Sequence, residues 1–416
     1  MQEIADMNKR EIAEIKRRFK KESCTFTRVC GCYVNSDKAK VVTFRNTFLN
    51  LEDEELHKYL EIANKTLSGK PGNSLLELPF PMEAEEEGGA QALLMELRSS
   101  QLKDDEVLNR FYDRVIETYD KVENYLILLF HDAYDVPMKT TDNLSLDDSE
   151  EVYEYIMCAI CPVDLSKPGL GYNENENRIG TLDRDWVVGA PESGFTFPCF
   201  TERSTDIHAV MVYTKDAKQP HTEFWENGLG CKAIHTSTQK KMAFTSILGE
   251  ALGDPEDEDV RDTMLDVQQG LSDFIEIQAE TQDKDEPVIL NREELSPILE
   301  NSGIDEPVAE RIADKFDAYF EENLPEADEL LDAKSLKDNG LRMEKKELEK
   351  QVVQLNHKLE EAGLVNVDGS EVNVIVKVPD DRVATVRATF VDGQRCIVIP
   401  LEGDEETTVN GEKKVF

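Results

Sequence analysis

Basic residues are scarce in this chain: 47 Lys and Arg stand against 87 Asp and Glu in 416 residues, a net charge of −40. That imbalance opposes nonspecific attraction of the whole molecule to nucleic acid or to an anionic membrane surface, and it argues against general DNA binding. Long apolar runs are missing as well. The strongly apolar stretch at residues 125–130 is six residues long and the run at 155–161 seven, against the roughly 20 that cross a bilayer. Residues 1–21 are charged and contain no apolar core of a secretory signal. Cysteine is dilute: the eight, Cys24, Cys30, Cys32, Cys158, Cys161, Cys199, Cys231 and Cys396, are spread along the chain instead of stapling a small domain. A cytoplasmic protein with reduced thiols and no membrane segment is the expectation. Glycine-rich phosphate motifs are absent too: neither G-x-x-x-x-G-K-[ST] nor G-x-G-x-x-G occurs, and Gly228-Leu229-Gly230 lacks the third glycine. No cofactor is assigned by these patterns, and whether the protein is an enzyme is left open.

What the chain does contain is an uneven charge distribution. Residues 1–50 hold 11 basic and 6 acidic side chains, a net of +5, so the remainder carries −45. Asn8 and Glu11 have capping-box spacing, and the spacing predicts a helix from Lys9 to Lys21. Ile12, Ile15 and Phe19 fall on one face, and Arg10, Arg17 and Lys21 on the opposite one. Such a helix either docks its apolar stripe on the acidic body, pairing its cations with local carboxylates, or presents Arg10, Arg17 and Lys21 to a protein or ribonucleoprotein partner.

Downstream, residues 25–34 and 39–48 read as a β-hairpin around Asn35-Ser36-Asp37-Lys38, followed by helices over 52–67, 90–98 and 104–120 and a buried strand over 124–131. Residues 132–235 are the least regular part. Strands are expected at 152–161 and 207–213, and between them polar residues interleave with Gly, Pro and aromatics, the composition of loops that carry sites on a rigid sheet.

Three constellations deserve chemical weighing. Cys30, Cys32, Cys158 and Cys161 supply four thiolates of the kind that bind structural zinc, although residues three apart on a strand face opposite ways, which favours buried thiols. Ser204, Asp206 and His208 are spaced by two and would share one face of a strand, but no nucleophile elbow surrounds the serine. Asp183, Asp185, Glu202, Asp206 and His208 form a donor set suited to a divalent ion in a metal-assisted hydrolase centred on 183–208. Against that, Arg178, Arg184 and Arg203 stand ready to neutralise the same acids.

The phrases MNKREI, EVYEYIMCAICPVDLSKPGLGY, DWVVGAPESGFTFPCF and ERSTDIH resemble the bacterial family catalogued as domain of unknown function 4317, typical of Firmicutes. The resemblance spans most of the chain. It implies a cytosolic bacterial protein whose natural start is Met7, and it carries over no catalytic residue, because the family has no assigned activity.

The C-terminal half is helical over 239–252, 260–280, 292–301 and 308–323, with a further helix over 344–362. Leu341, Leu348, Val352, Leu355 and Leu359 are spaced as in a coiled-coil seam, but the seam spans fewer than four heptads, and an intramolecular packing face is the preferred reading. Alternating Val372, Val374, Val376 and Val378, then Val386, Ala388 and Phe390, with a turn at Asp392-Gly393 into 396–401, predict a small antiparallel module. The expected architecture is therefore α+β: a mixed sheet body with irregular central loops over 1–235, a helical region over 236–363 and a β module over 364–416. The leading functional expectation is a noncatalytic binding or regulatory role on a protein or ribonucleoprotein partner, and the alternative is the hydrolase. Oligomeric state is not fixed by these patterns.

Overall fold

The computed structural model describes residues 9–139, 145–174, 177–181, 184–201, 204–281, 287–321, 323–361, 378, 380–401, 407–409 and 412–414. Contacts divide the chain into two compact units, Met1–Leu336 and Lys337–Phe416. The boundary expected near 235 falls at the turn into a helix inside the first unit, and that near 363 lies outside the described residues.

In chain order the first unit opens with α1 (Lys9–Lys16), β1 (Phe26–Val34), β2 (Lys40–Thr47), α2 (Asp53–Thr66), β3 (Leu75–Pro79), α3 (Met82–Glu85), α4 (Ala90–Ser99) and α5 (Asp105–Thr118). The long strands β4 (Tyr125–Lys139) and β5 (Ser145–Leu165) follow. Next come β6 (Leu170–Asn173), β7 (Arg178–Thr181), β8 (Trp186–Val188), β9 (Ser193–Phe197), β10 (Cys199–Thr201), β11 (Ser204–Asp206) and β12 (Ala209–Thr214). The main sheet runs β2-β1-β4-β5-β9-β12-β3, with β8 added against the end of β5, and these neighbours pair antiparallel.

Strand alternation on β4 gives the sheet two buried faces. Ile127 and Leu129 meet Leu94 and Leu97 of α4 and Leu108, Phe111 and Val115 of α5. Leu126, Leu128 and Phe130 meet Ile12 and Ile15 of α1 and Leu56, Leu60 and Ala63 of α2. The central strands are therefore apolar on both sides, which is why 125–130 reads as an unbroken run. Beyond it β4 continues through charged residues, since Asp132 is buried on β4 as the acceptor of the Tyr155 hydroxyl at 2.8 Å.

The remaining helices of the first unit, α6 (Ser237–Leu252), α7 (Glu258–Thr281), α8 (Arg292–Asn301) and α9 (Glu306–Phe320), close around a third core that includes Phe244, Leu271, Leu295, Leu299, Ile312 and Phe316. Capping boxes fix two of their starts: Thr236 with Gln239 before α6, and Asn291 with Glu294 before α8. The second unit holds most of α10 (Ala333–Glu361), β13 (Arg387–Val391), β14 (Gln394–Val398), β15 (Thr407–Val409) and β16 (Glu412–Lys414). Asp392 at φ 50° and Gly393 at φ 81° turn β13 into β14, as two positive-φ residues do in a tight hairpin. Val372, Val374 and Val376 lie outside the described residues. Leu341, Leu348, Val352, Leu355 and Leu359 on α10 are 40 to 57 % exposed, so the packing-face reading of that seam is corrected: among the described residues nothing covers it.

Candidate functional site

The N-terminal element turns its apolar face inward and leaves most of its cations at the surface. Helix α1 ends at Lys16, five residues short of the expected Lys21, and Asn8 lies outside the described residues. After Lys16 the chain coils through Arg18 N to Ile15 O and Phe19 N to Lys16 O. Arg18 is drawn over the Tyr134 ring at 4.0 Å and donates to Thr25 Oγ1 at 2.7 Å. Ile12, Ile15 and Phe19 are buried, with Phe19 packed 5.2 Å from Phe26. Of the three partner-binding candidates, Lys21 is ion-paired to Asp53 at 2.6 Å, an ammonium that holds this carboxyl below its usual range. Arg10 and Arg17 are exposed.

The 183–208 constellation does not converge among the described residues. Asp183 and Glu202 lie outside them, as does Arg203. Asp185 sits on the ribbon of β5 and β8, where its backbone N–H meets Ser166 Oγ at 3.2 Å, and the neighbouring Arg184 donates to Ser166 O at 2.6 Å. Ser204 and Asp206 belong instead to β11, paired with β10. The strand ends there, which overturns the expected one-faced alignment: Asp206 Oδ1 accepts from the His208 backbone N–H at 2.8 Å, and His208 Nδ1 turns to Glu85 Oε1 at 2.8 Å. That carboxylate raises the His208 pKa. Among the described residues the His208 ring is thus engaged by Glu85, and no group of three or more His, Cys, Asp or Glu is placed to hold a metal ion.

The zinc set is corrected by the same alternation that cast doubt on it. Cys30, Cys32 and Cys158 face α4 and α5, whereas Cys161 faces α1 and α2. Cys30 and Cys158 flank Leu129 in one row across three strands, so they are two strand spacings apart. Burial pushes the Cys30 and Cys161 thiols up to about 12 and Cys32 to about 11, which keeps them protonated and poor ligands. All eight cysteines are free thiols.

Sequence spacing gave no sign of three polar clusters that the fold assembles. A bulge between Phe26 and Arg28 swings Thr27 outward so that its hydroxyl meets His131 Nδ1 at 2.6 Å, across 104 residues of sequence. His131 Nε2 lies 3.1 Å from Glu154 Oε1, which also takes a hydrogen bond from Gln101. A carboxylate only accepts, so Nε2 carries the proton and Nδ1 accepts from Thr27. Burial lowers the His131 pKa against the opposing pull of Glu154. His221 is held likewise between Asp120 Oδ1 at 2.7 Å and the Tyr119 hydroxyl at 3.1 Å. The third cluster lines a cavity of about 330 Å³ with Lys70, Glu77, His235, Lys240, Glu326 and Glu329. There Glu329 accepts from Lys240 Nζ at 2.6 Å, Ser237 Oγ at 2.9 Å and the Glu326 N–H at 3.1 Å. In the first two clusters and around Glu329 the polar groups are paired with one another.

The opposite holds for the excursion between β5 and β8. The chain leaves the sheet at Leu165, forms the β6–β7 hairpin and returns as β8, with Leu165 facing Trp186 and Val163 facing Val188. Register places Leu170, Tyr172, Ile179 and Thr181 on one face of the hairpin, opposite Gly171 and Gly180. Leu170, Tyr172, Ile179 and Trp186 are 55 to 75 % exposed, and Val187 and Val188 are exposed with them. The hairpin tip is shaped by Asn177 at φ 44°, whose side chain accepts from the Tyr172 hydroxyl at 2.7 Å. Residues 165–188 carry three basic and four acidic side chains, a net of −1, in a molecule of −40.

A family model described as a domain of unknown function (DUF4317) matches residues 7–412. No curated protein matches the chain.

Proposed function

We propose, from the premise that the chain belongs to the DUF4317 family, that it is a noncatalytic binding protein that engages a protein partner through the face built by β6, β7 and β8. The observation that carries this reading is the exposure of Leu170, Tyr172, Ile179 and Trp186 on a short, sheet-anchored excursion. Scattered exposed apolar residues are ordinary, but large aliphatic and aromatic side chains gathered on one excursion mark interaction surfaces, and aromatics anchored centrally supply much of the affinity at such surfaces. The near-neutral charge of 165–188 favours an apolar protein surface over a ribonucleoprotein, whose phosphates the acidic molecule repels. Two cations of the N-terminal element are engaged within the chain, Lys21 in a surface pair with Asp53 and Arg18 over the Tyr134 ring, which makes this element the weaker candidate for the contact. Free thiols throughout and the absence, among the described residues, of a helix long and apolar enough to cross a membrane are consistent with a cytoplasmic setting. The hydrolase alternative relied on Asp183, Asp185, Glu202, Ser204, Asp206 and His208; Ser204 and Asp206 share β11, but Asp185 lies on the β5–β8 ribbon and the His208 ring turns to Glu85, and the alternative is not carried forward.

The test uses the two tryptophans. Trp186 is exposed and Trp225 is fully buried, so iodide-quenchable emission reports Trp186. Proteins recovered on the tagged chain are compared with those on the Leu170→Ser/Ile179→Ser/Trp186→Ser variant, and a purified candidate is then titrated against the wild type. The expected result is loss of recovery in the variant and protection of Trp186 from iodide on binding. A partner that binds the variant equally, or leaves Trp186 quenchable, overturns the proposal.

A further inference from the structure

The seam on α10 is a second apolar surface, on a different element and independent of the reading above. Leu341, Leu348 and Leu355 recur every seven residues, and Val352 and Leu359 recur at the intervening position, with Lys345 one heptad before Val352. In heptad terms the leucines 341, 348 and 355 occupy d, while 345, 352 and 359 occupy a. The five apolar members are 40 to 57 % exposed. A 29-residue helix holding this pattern is not stabilised by an apolar face within the described residues, and isolated helices of modest length are marginal in water.

We infer that α10 pairs with α10 of a second copy of this chain as a short antiparallel coiled coil. Self-pairing satisfies the seam, because the same surface supplies both sides of a two-fold interface. With the two-fold axis beside residue 350, Leu348 packs beside the partner's Val352, Leu341 beside the partner's Leu359, and Leu355 against the stem of the partner's Lys345. This register places all five apolar residues of each copy in the interface.

Charge decides the orientation. In an antiparallel pair the flanking g positions face one another, which sets Glu344 against the partner's Lys358 twice, with Gln351 meeting its own copy at the axis. Glu349 also approaches its counterpart near the axis, where Lys345 of its own helix, 3.8 Å away, offsets it. A parallel, in-register pair would stack Lys345 on Lys345 in the core and set Glu344 against Glu349 on both flanks, and like-charge contacts of that kind select against an alignment. Three heptads support a reversible association, in which the dimer fraction rises with protein concentration.

Sedimentation of the full-length chain over a concentration series, ending near 100 µM, tests this, with a mass rising from 47.2 kDa toward twice that value. Val352→Asp/Leu355→Asp is expected to abolish dimerisation while leaving the melting temperature of the sheet body unchanged. Should that variant lose helix content, the charge variants decide, since they keep the apolar seam intact. Glu344→Lys weakens an antiparallel dimer by roughly tenfold, through two contacts turned repulsive, and Glu344→Lys/Lys358→Glu restores it. In a parallel dimer Glu344→Lys instead strengthens association, through Glu349. A chain that stays monomeric throughout, a dimer that survives Val352→Asp/Leu355→Asp, or a Glu344→Lys variant that associates more tightly overturns the inference.

Discussion

Removing the Lys240 ammonium probes how the helical core of the first unit is fastened. Lys240 and Glu329 have side chains only 10 and 9 % exposed, so the pair is shielded from solvent. Lys240→Met leaves the Glu329 carboxylate buried with hydrogen bonds from Ser237 and the Glu326 N–H but no cation. Breaking one side of a buried pair costs about 3–5 kcal/mol, because the remaining charge is uncompensated. The chain has several cores, so a global unfolding curve is the wrong instrument. Amide hydrogen exchange in α6 and α9 reads the local cost: at 1.4 kcal/mol per decade, protection there falls roughly a hundred- to several-thousandfold, while β4 and β5 are unchanged. Lys240→Met/Glu329→Gln removes both charges and keeps an acceptor for Ser237, so it recovers to within about 2 kcal/mol of the wild type. If Lys240→Met lowers protection by less than about fivefold, the pair behaves like a solvated surface contact and the reasoning from burial is wrong.

Three other outcomes follow from the geometry. Alkylation at pH 8 followed by intact-mass measurement is expected to modify the partly exposed Cys396 first, with Cys24 slower because burial pushes its thiol up to about 11, and to spare the six buried thiols; a native disulfide would refute the reduced state. Ile15→Ala, at a fully buried position in the α1 contact, is expected to cost about 2–5 kcal/mol, read locally by amide hydrogen exchange in α1 and α2, whereas Arg17→Glu on the exposed side stays within about 0.5 kcal/mol. The two histidines pull stability in opposite directions with pH. His131 has a lowered folded-state pKa, so the unfolded chain takes up its proton first and this residue removes stability as pH falls below about 6.5. His208, raised by Glu85, adds stability at low pH that is lost as pH rises through its folded pKa. In an NMR titration the His131 ring signals should move at lower pH than those of His208, and Glu85→Gln should shift only the latter; coincident titration of the two rings would contradict both assignments.

Several helices were legible in the sequence: α8 occupies the predicted 292–301, and α2 and α6 begin and end within a residue or two of expectation. Strand β3 was obscured by Pro79, which is tolerated because β3 lies at an edge of the sheet. The far ends of β4 and β5 looked like loop because Asp132 and Asp135 and the acidic stretch 147–151 interrupt the apolar pattern, yet pairing between the strands carries them on. The α+β class and the N-terminal hairpin were likewise readable. Sites fared differently, because spacing along the chain says little about a turn one residue away. His208 leaves the strand that Ser204 and Asp206 share, whereas the opposite facing of Cys158 and Cys161 was readable from strand alternation. Conversely, Thr27, His131 and Glu154 meet only through register and a bulge, neither of which a linear pattern encodes.

The pinned ends of the excursion between β5 and β8 have an evolutionary consequence. Leu165 and Trp186 are cross-strand neighbours, and Gly189 N–H returns to Pro162 O at 2.8 Å, so the segment departs from and rejoins one point on the sheet. Lengthening a loop with fixed ends costs little, growing only with the logarithm of its length, and none of the described residues of 166–185 belongs to either sheet core. The segment is thus an exchangeable cassette: its length and apolar residues are free to diverge, or to be grafted onto another sheet edge, while the scaffold that displays them is kept.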